Sequence, residues 1–264
     1  MRIPFLPNKK PKSIGLALGG GAARGIAHLG VIKRLREYNI PISCIAGTSA
    51  GSLVGGTVAT GIDLDYLIHH VKKMKWLDIV SFRFSKTGLI SSKKLDRYMG
   101  RLIGSVCFKD LKTPFTALST NILTGEAVEL NEPDMPVSNA IRASSSFPGV
   151  YPPFEWKGQY LIDGGASSNI PIDTVRNMGA DYVIGVDVIP VCNINEVPKN
   201  MALIVDRGLD LLLHRQRMTL DADLMLHPVT APISSFDMKY ADQLIQMGMN
   251  AVDKHYKTLR DLVE

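Results

Sequence analysis

A serine enclosed by two glycines is the strongest candidate for a reactive side chain in this sequence. Ser49 occupies the centre of Gly47-Thr48-Ser49-Ala50-Gly51, after the apolar run ISCIA and before a stretch able to form a helix. A sharp strand-to-helix turn of the G-x-S-x-G type holds its serine in a strained position, where the hydroxyl can act as a nucleophile. The alternative is an ordinary tight turn that contains serine, since short Gly/Ser patterns also arise by chance.

A serine hydroxyl is a weak nucleophile and needs a neighbouring base, for which the sequence offers two candidates. Asp163 ends the predicted strand GQYLIDGG and is followed by Gly164 and Gly165, which permit a tight turn around the carboxylate. His227 follows a predicted strand near the carboxyl end of the chain, as the histidine of an ordinary Ser–Asp–His esterase does. Asp-Gly is also a common turn signal, so these residues alone leave a structural role for Asp163 open.

A second glycine-rich turn precedes the first predicted helix. Gly19, Gly20 and Gly21 lie between the apolar strand SIGLAL and the helical stretch ARGIAHLGVIKRLREY. Backbone N–H groups at such a helix start can bind a phosphate or stabilise the oxyanion of acyl transfer. A dinucleotide fingerprint fails because Ala22 and Arg24 occupy positions that require glycine, and no P-loop sequence occurs. A purely structural glycine turn is the alternative.

The elements around these turns predict an α/β protein. Strand, helix, strand and helix alternate over residues 13–59, as in a parallel sheet with right-handed crossovers, and residues 63–111 favour amphipathic helices. The later part predicts five strands and three helices: FTALSTNI, GEAVEL, GQYLIDGG, DYVIGVDV and ADLMLHPV, and residues 136–146, 201–218 and 237–263. We expect a three-layer α/β/α fold with a mostly parallel central sheet, as one domain over residues 13–264 behind a basic extension at 1–12.

Composition narrows the classes of function. The 264 residues carry a net charge of +5 with the basic residues spread along the chain, which argues against a nucleic-acid binder. No apolar run reaches the ~18 residues of a membrane span, and the amino terminus lacks the core of a signal peptide, so we expect a cytoplasmic protein. The three cysteines are odd in number and widely spaced, which favours reduced thiols over disulfides or a zinc site. We expect neither a metal nor a cofactor.

The combination of these motifs resembles the patatin-like phospholipase family. The glycine loop GGGAARG, the elbow GTSAG and the DGG of Asp163 follow one another in the family's order. The segment ASSSFPGVYPPF and the N-x-P at 169–171 agree with the same family. The resemblance runs from about residue 13 to residue 188, and it looks closest to short bacterial members, whose catalytic domain resembles that of neuropathy target esterase.

The resemblance implies a patatin-like serine hydrolase that releases fatty acid from lipid esters. Ser49 would be the nucleophile and Asp163 the general base, in a dyad that works without histidine. Two other interpretations stay open: an ordinary triad esterase that uses His227, and a non-catalytic lipid-binding or regulatory module that retains the fold. The residues do not choose among phospholipid, lysophospholipid, acylglycerol and thioester substrates.

The resemblance also implies roles for the glycine loop. Backbone N–H groups of Gly20, Gly21 and Ala22 would form the oxyanion hole, supported by Gly25 and by Arg24, for which contact with a substrate phosphate is the alternative role. Ala22 departs from the family's usual glycine, and it would be strained if this position needs a positive φ. The other motif glycines would support the turns around the serine and the aspartate: Gly47, Gly51, Gly164 and Gly165.

One further segment predicts contact with a membrane. From Trp76 to Ile90 the sequence interleaves aromatic and basic side chains, including Phe82, Arg83 and Phe84. This composition suits the surface of an anionic membrane or a lid over the acyl site, and the alternative is a partly buried loop between helices. We expect peripheral contact with the inner membrane surface through this segment.

Overall fold

The computed structural model describes residues 12–75, 78, 93–190, 197–216 and 221–263. Their strands are β1 (Ile14–Leu18), β2 (Cys44–Thr48), β3 (Phe115–Asn121), β4 (Ala127–Leu130), β5 (Phe154–Trp156), β6 (Gln159–Asp163), β7 (Tyr182–Val186) and β8 (Leu224–Leu226). The predicted membrane-contact segment from Trp76 to Ile90 lies outside the described residues apart from Asp78. The predicted basic extension lies outside them apart from Lys12.

The strands form one mixed sheet with a parallel centre. Its order is β5-β6-β3-β2-β1-β7-β8, with β4 paired to β3. The run from β3 to β8 is parallel, whereas β4 and β6 pair antiparallel with β3, and β5 pairs antiparallel with β6. Every residue of β1, β2 and β7 is buried, as expected for strands covered on both faces. The predicted mostly parallel sheet is confirmed, and the short β5 was not anticipated.

Helices cover this sheet. In the described part of the chain they are α1 (Ala27–Glu37), α2 (Ala50–Ala59), α3 (Leu64–Lys73), α4 (Lys93–Leu102), α5 (Val137–Ser144), α6 (Ile172–Asn177), α7 (Met201–Gln216), α8 (Ala241–Asp253) and α9 (Tyr256–Arg260). A 3₁₀ helix, Ala22–Ile26, follows the glycine loop and leads into α1. None of the described helices combines the length and the apolar character needed to cross a bilayer.

Successive side chains of β1 point alternately into two hydrophobic cores, one on each face of the sheet. Leu16 and Leu18 belong to the larger core, which they share with Leu29 of α1 and with apolar residues of α2 and α8. Ala17 belongs to the smaller core on the opposite face, where Val175 of α6 packs against small side chains of β1 and β2. Successive residues of a strand point to opposite faces, so the sheet carries a helical layer on each side. The predicted three-layer arrangement is confirmed.

The prediction of one continuous closing helix over 237–263 is wrong. The structure has a 3₁₀ turn, Met238–Tyr240, and then two separate helices, α8 and α9. At His255 the backbone leaves the helical region, with φ −115° and ψ 14°. The turn at this point returns Leu259 to the core, where it is fully buried. Burial of this apolar side chain favours the break over a straight continuation, which helical periodicity alone does not indicate.

Candidate active site

Ser49 lies at a sharp turn between β2 and α2. Its backbone has φ 53° and ψ −118°, outside the regions that a residue with a side chain normally occupies. A serine at the start of a helix commonly caps the first backbone N–H groups with its hydroxyl. The side chain of Ser49 makes no such bond to α2. The strained conformation therefore serves some purpose other than capping the helix.

The two glycines around Ser49 are required by backbone contacts. A Cβ atom at Gly47 would lie 2.5 Å from the backbone of Gly51, and one at Gly51 would lie 2.0 Å from the carbonyl oxygen of Leu18. A Cβ at Gly25, in the 3₁₀ helix, would lie 2.5 Å from the Cβ of Ala50. These distances are far below van der Waals contact. Glycine is therefore the residue that allows β1, β2 and α2 to meet at the elbow.

A buried serine hydroxyl forms a hydrogen bond with the backbone of the elbow. The backbone N–H of Ser49 donates to Oγ of Ser144 at 2.9 Å, and the Ser144 hydroxyl donates to the carbonyl oxygen of Leu118 at 2.5 Å. Ser144 ends α5 and is fully buried. Sequence reasoning did not single it out, although it lies in the ASSSFPGVYPPF segment that carried part of the family resemblance. Its place in the structure is that of a positioning residue for Ser49.

We expect Ser144→Ala to weaken both the fold and any activity of Ser49. The change leaves the Ser49 N–H and the Leu118 carbonyl without their partner, which typically costs about 1–3 kcal/mol of stability. A small displacement of the elbow should lower kcat/KM by about 10- to 100-fold. Thermal unfolding and turnover of a soluble ester measure the two effects. Ser145→Ala is the matched control, because the buried Ser145 hydroxyl has no hydrogen-bond partner among the described residues; equal losses in both variants would contradict the positioning role.

Two neighbouring strand pairs bring Asp163 next to Ser49. In the sheet, Thr48 of β2 is opposite Leu118 of β3, and Ser119 of β3 is opposite Asp163 at the end of β6. The chain then turns at Gly164, where a Cβ would lie 2.3 Å from the Leu118 carbonyl oxygen and 3.1 Å from Cγ2 of Thr48. The aspartate loop therefore packs directly against the elbow, which requires glycine after the aspartate.

The Asp163 carboxyl is buried, and one of its two oxygens has a hydrogen bond among the described residues. Its side chain is part of a residue only 4% exposed, and Oδ1 accepts the backbone N–H of Gly165 at 2.8 Å. Burial raises the pKa of Asp163 to about 6, against the smaller lowering effects of the Ser49 hydroxyl and the Gly165 N–H. The serine hydroxyl is thus close enough to act on the carboxyl, although Oδ2 has no hydrogen bond of normal geometry within the described residues. One oxygen of a buried carboxyl beside the elbow is therefore without a hydrogen bond among the described residues.

The glycine loop lies against Ser49 and Asn169. A Cβ at Gly20 would be 3.2 Å from Cβ of Ser49 and 2.7 Å from Oδ1 of Asn169. Asn169 fixes the loop, since its carbonyl accepts the Gly20 N–H at 3.2 Å and its Nδ2 donates to the Gly20 carbonyl at 3.4 Å. Asn169 belongs to the N-x-P that supported the family resemblance. The N–H of Gly20 therefore already donates a hydrogen bond within the protein. This disfavours Gly20 as one of the predicted oxyanion donors.

Two backbone N–H groups of the loop have no acceptor among the described residues, those of Gly21 and Ala22. Ala22 begins the 3₁₀ helix, and the first N–H groups of a helix have no partner within it. The φ of Ala22 is +49°, so the condition under which alanine is strained is met at this position. Left-handed backbone costs a residue with a side chain about 1–2 kcal/mol. The strained residue therefore directly follows Gly20 and Gly21, and Gly20 is the loop residue that contacts Ser49.

Arg24 is fixed inside the protein. Its Nη2 and Nη1 pair with Asp206 at 2.9 Å and Asp210 at 2.7 Å, both on α7, and its Nε donates to the Ile233 carbonyl at 2.8 Å. Only 1% of the residue is exposed. These contacts favour the structural role for Arg24 over contact with a substrate phosphate.

His227 lies on a strand remote from β2 in the sheet, and His28 is bonded to the glycine loop. His227 follows β8, which lies three strands from β2, a separation of about 14 Å at the usual strand spacing. Its Nδ1 is 3.8 Å from Oδ2 of Asp187. His28 is fully buried beneath the glycine loop, where Nε2 donates to the Gly19 carbonyl at 2.8 Å, and burial lowers its pKa to about 4. His28 thus supports the loop as a neutral side chain.

Comparison with known proteins agrees with this geometry. The model of the family described as patatin-like phospholipase matches residues 16–176. An uncharacterized NTE family protein of Mycobacterium tuberculosis is 37% identical over 178 residues, which are 66% of this chain and 49% of that protein. Lysophospholipase NTE1 of Debaryomyces hansenii is 34% identical over 183 residues, which are 67% of this chain and 12% of that protein. The chain therefore spans half or less of the length of these relatives.

The fold is similar to that of a solved structure as well. VipD from Legionella pneumophila superposes with a TM-score of 0.57 at 14% identity, over 96% of this chain and 67% of that chain. At this identity the likeness concerns the fold alone. Clusters of three or more side chains able to hold a metal ion do not occur in the residues that the structure describes. Since the family model covers more than half of its length, the chain belongs to the patatin-like phospholipase family.

Proposed function

We propose that the protein hydrolyses acyl esters of lipids through a Ser49–Asp163 dyad. One observation carries the proposal: a strained serine, whose hydroxyl caps nothing, lies beside a buried carboxyl with an open oxygen and a raised pKa. A structural turn needs neither the strain nor the buried charge, both of which cost stability. Such costs are found where they prepare a group for reaction.

The proposed reaction has two halves. Oγ of Ser49 attacks the ester carbonyl while Asp163 accepts its proton, and the tetrahedral intermediate then collapses as Asp163 returns the proton to the leaving alcohol. Water enters next, gives a proton to Asp163 and attacks the acyl-serine. The acyl–oxygen bond breaks, the fatty acid leaves, and Ser49 regains its proton from Asp163. Atoms and charges balance with these two side chains and water alone.

The oxyanion that forms in each half is assigned to the open N–H groups of the glycine loop. Gly21 and Ala22 supply these donors in the proposal, and Gly20 holds the loop through Asn169. Loss of one such donor typically costs about 10²- to 10³-fold in rate. Backbone donors of this kind are independent of side-chain identity, which makes alanine at position 22 compatible with the role.

The raised pKa of Asp163 suits the proposed base. An aspartate of ordinary pKa 3.8 is a poor acceptor for a serine proton, and burial brings the value to about 6. Proton transfer becomes more favourable as the pKa of the base approaches the working pH. The open Oδ2 also spares the reaction from first breaking an existing hydrogen bond.

The substrate class follows from the relatives. A yeast relative carries the name lysophospholipase, and the matching family model is that of patatin-like phospholipases. We therefore assign lipid acyl esters to this site, with lysophospholipid as the first to test. The triad alternative is disfavoured by the ~14 Å between the strand ends that carry His227 and Ser49.

The pH dependence of hydrolysis tests the proposal. The dyad needs Asp163 deprotonated, so kcat/KM should fall through the pKa of about 6 as the solution becomes more acidic. The expected loss between pH 7 and pH 5 is about tenfold. It is measured on p-nitrophenyl butyrate and lysophosphatidylcholine. The His227→Ala enzyme should show the same midpoint; absence of hydrolysis, or a midpoint that depends on His227, would contradict the proposal.

A further inference from the structure

Helix α7 is amphipathic but turns its charged side inward. Asp206 and Asp210, one turn apart, are both buried and bind the buried Arg24. Asp206 also accepts hydrogen bonds from the Ser234 hydroxyl at 3.1 Å and the Ser235 backbone N–H at 3.2 Å. Surface helices normally bury the apolar stripe and expose the acids.

The opposite side of α7 carries an exposed aliphatic stripe. Its side chains recur at spacings of three, four and seven residues, so they lie on one face of the helix. The stripe consists of Met201, Ile204, Val205, Leu211 and Leu212, which are 80%, 54%, 51%, 53% and 66% exposed. Exposed aliphatic side chains grouped on one helix face, rather than scattered singly, favour a contact with another apolar phase.

The ion pairs with Arg24 explain why the stripe faces outward. Rotation of α7 that buried the aliphatic face would take both aspartates away from the guanidinium. A buried arginine without counter-ions is strongly destabilising, which outweighs the gain from covering a few aliphatic side chains. The buried pairs thus fix the rotation of the helix and keep the stripe at the surface.

The carboxyl end of α7 contacts the candidate active site. Nε2 of Gln216 donates to the Gly165 carbonyl at 3.0 Å, and Oε1 of the same side chain accepts the Asn169 N–H at 2.8 Å. Gly165 follows Asp163, and Asn169 holds the glycine loop. The carboxyl end of α7 is therefore hydrogen-bonded to the loop that follows Asp163 and to the residue that holds the glycine loop.

We propose that the aliphatic stripe of α7 docks the protein on an anionic lipid bilayer. The charges that α7 leaves at its surface are cationic, Arg207 and Arg215, because its two acids are buried. Aliphatic side chains flanked by arginine are suited to the boundary between headgroups and acyl chains of an anionic membrane. The inference rests on the proposed function, since docking places the ester bond near Ser49, and it assigns the membrane contact to α7.

Vesicle binding tests this assignment independently of catalysis. The Ser49→Ala protein, which leaves the lipid intact, is sedimented with vesicles of phosphatidylglycerol and phosphatidylcholine. Adding Ile204→Ser, Leu211→Ser and Leu212→Ser should weaken partitioning at least about tenfold. Tyr66→Ser removes an exposed apolar side chain from α3, on another helix, and is the matched control. In the enzyme with Ser49 intact, the triple variant should keep its kcat/KM on a soluble ester.

Three results would overturn the docking surface. One is unchanged vesicle binding in the triple variant; another is equal binding to vesicles of phosphatidylcholine alone, which removes the charge complementarity. The third is a dimer in light scattering that the triple variant dissociates, because the stripe would then bind a second copy of the chain. Failure of soluble-ester hydrolysis in the unaltered protein would instead contradict the proposed function and leave the binding result standing.

Discussion

Ser49→Ala should abolish ester hydrolysis and leave the fold intact. Loss of a nucleophilic serine typically lowers kcat by about 10⁴-fold or more, because no other group can form the acyl intermediate. The hydroxyl does not cap α2, so its removal deletes no structural hydrogen bond of that helix. Alanine has a Cβ as serine does, so the backbone strain at a φ of 53° should be the same in the variant. Turnover of p-nitrophenyl butyrate, with circular dichroism for the fold, measures both parts of the prediction.

Labelling by a fluorophosphonate gives the matching control. Ser52→Ala removes the same atom one turn further along α2, where the hydroxyl donates to the Ser49 carbonyl at 2.7 Å. The Ser52→Ala protein should be labelled and active, and the Ser49→Ala protein neither. Mass spectrometry should locate the label on Ser49. Undiminished turnover by purified Ser49→Ala protein would contradict the assignment of the nucleophile.

Asp163→Asn should lower kcat/KM by about 10²- to 10⁴-fold, the usual contribution of a general base. A neutral amide can still accept the Gly165 N–H through Oδ1, so the loop keeps its shape, but the amide cannot take the proton of Ser49. The loss is measured on a soluble ester at a pH well above 6, where the wild-type carboxyl is ionised. Activity within a few-fold of the unaltered enzyme would contradict the role of Asp163.

The same substitution should stabilise the protein at neutral pH. Asp163 has a pKa of about 6 in the folded state and an ordinary value of 3.8, so between these values the folded state binds the proton more tightly. Stability therefore falls as the pH rises through this window, and the full penalty applies above pH 6. Asparagine has no charge to desolvate, and we expect a gain on the order of 2–3 kcal/mol at pH 8. The gain should vanish below about pH 4 in thermal unfolding experiments.

The parts of the site that sequence indicates are those set by local contacts. The need for glycine at positions 47 and 51 can be predicted from the sequence, because a Cβ at either would clash with backbone within a few residues or on the adjoining strand. The alternation of buried strands and helices likewise predicts the parallel centre of the sheet. Asp163 was predicted as the base from its place in an ordered set of motifs, since an Asp-Gly pair alone is a common turn.

The parts that sequence did not reveal depend on contacts between distant residues. Ser144 supports Ser49 from 95 positions away, and Arg24 reaches across 182 positions to Asp206. Neither pairing leaves a local pattern. Helix α7 shows the same limit, because its apolar periodicity predicts a helix but cannot say that its acids, through Arg24, point inward.

The central claim, a dyad without histidine, is tested most directly by comparing two variants on one soluble ester. Asp163→Asn and His227→Ala are assayed for kcat/KM at the same pH, with circular dichroism to establish that both are folded. The dyad predicts a loss of about 10²- to 10⁴-fold for Asp163→Asn and a change of less than about threefold for His227→Ala. A folded His227→Ala enzyme that has lost activity about a thousandfold would show that imidazole is the base and would contradict the dyad.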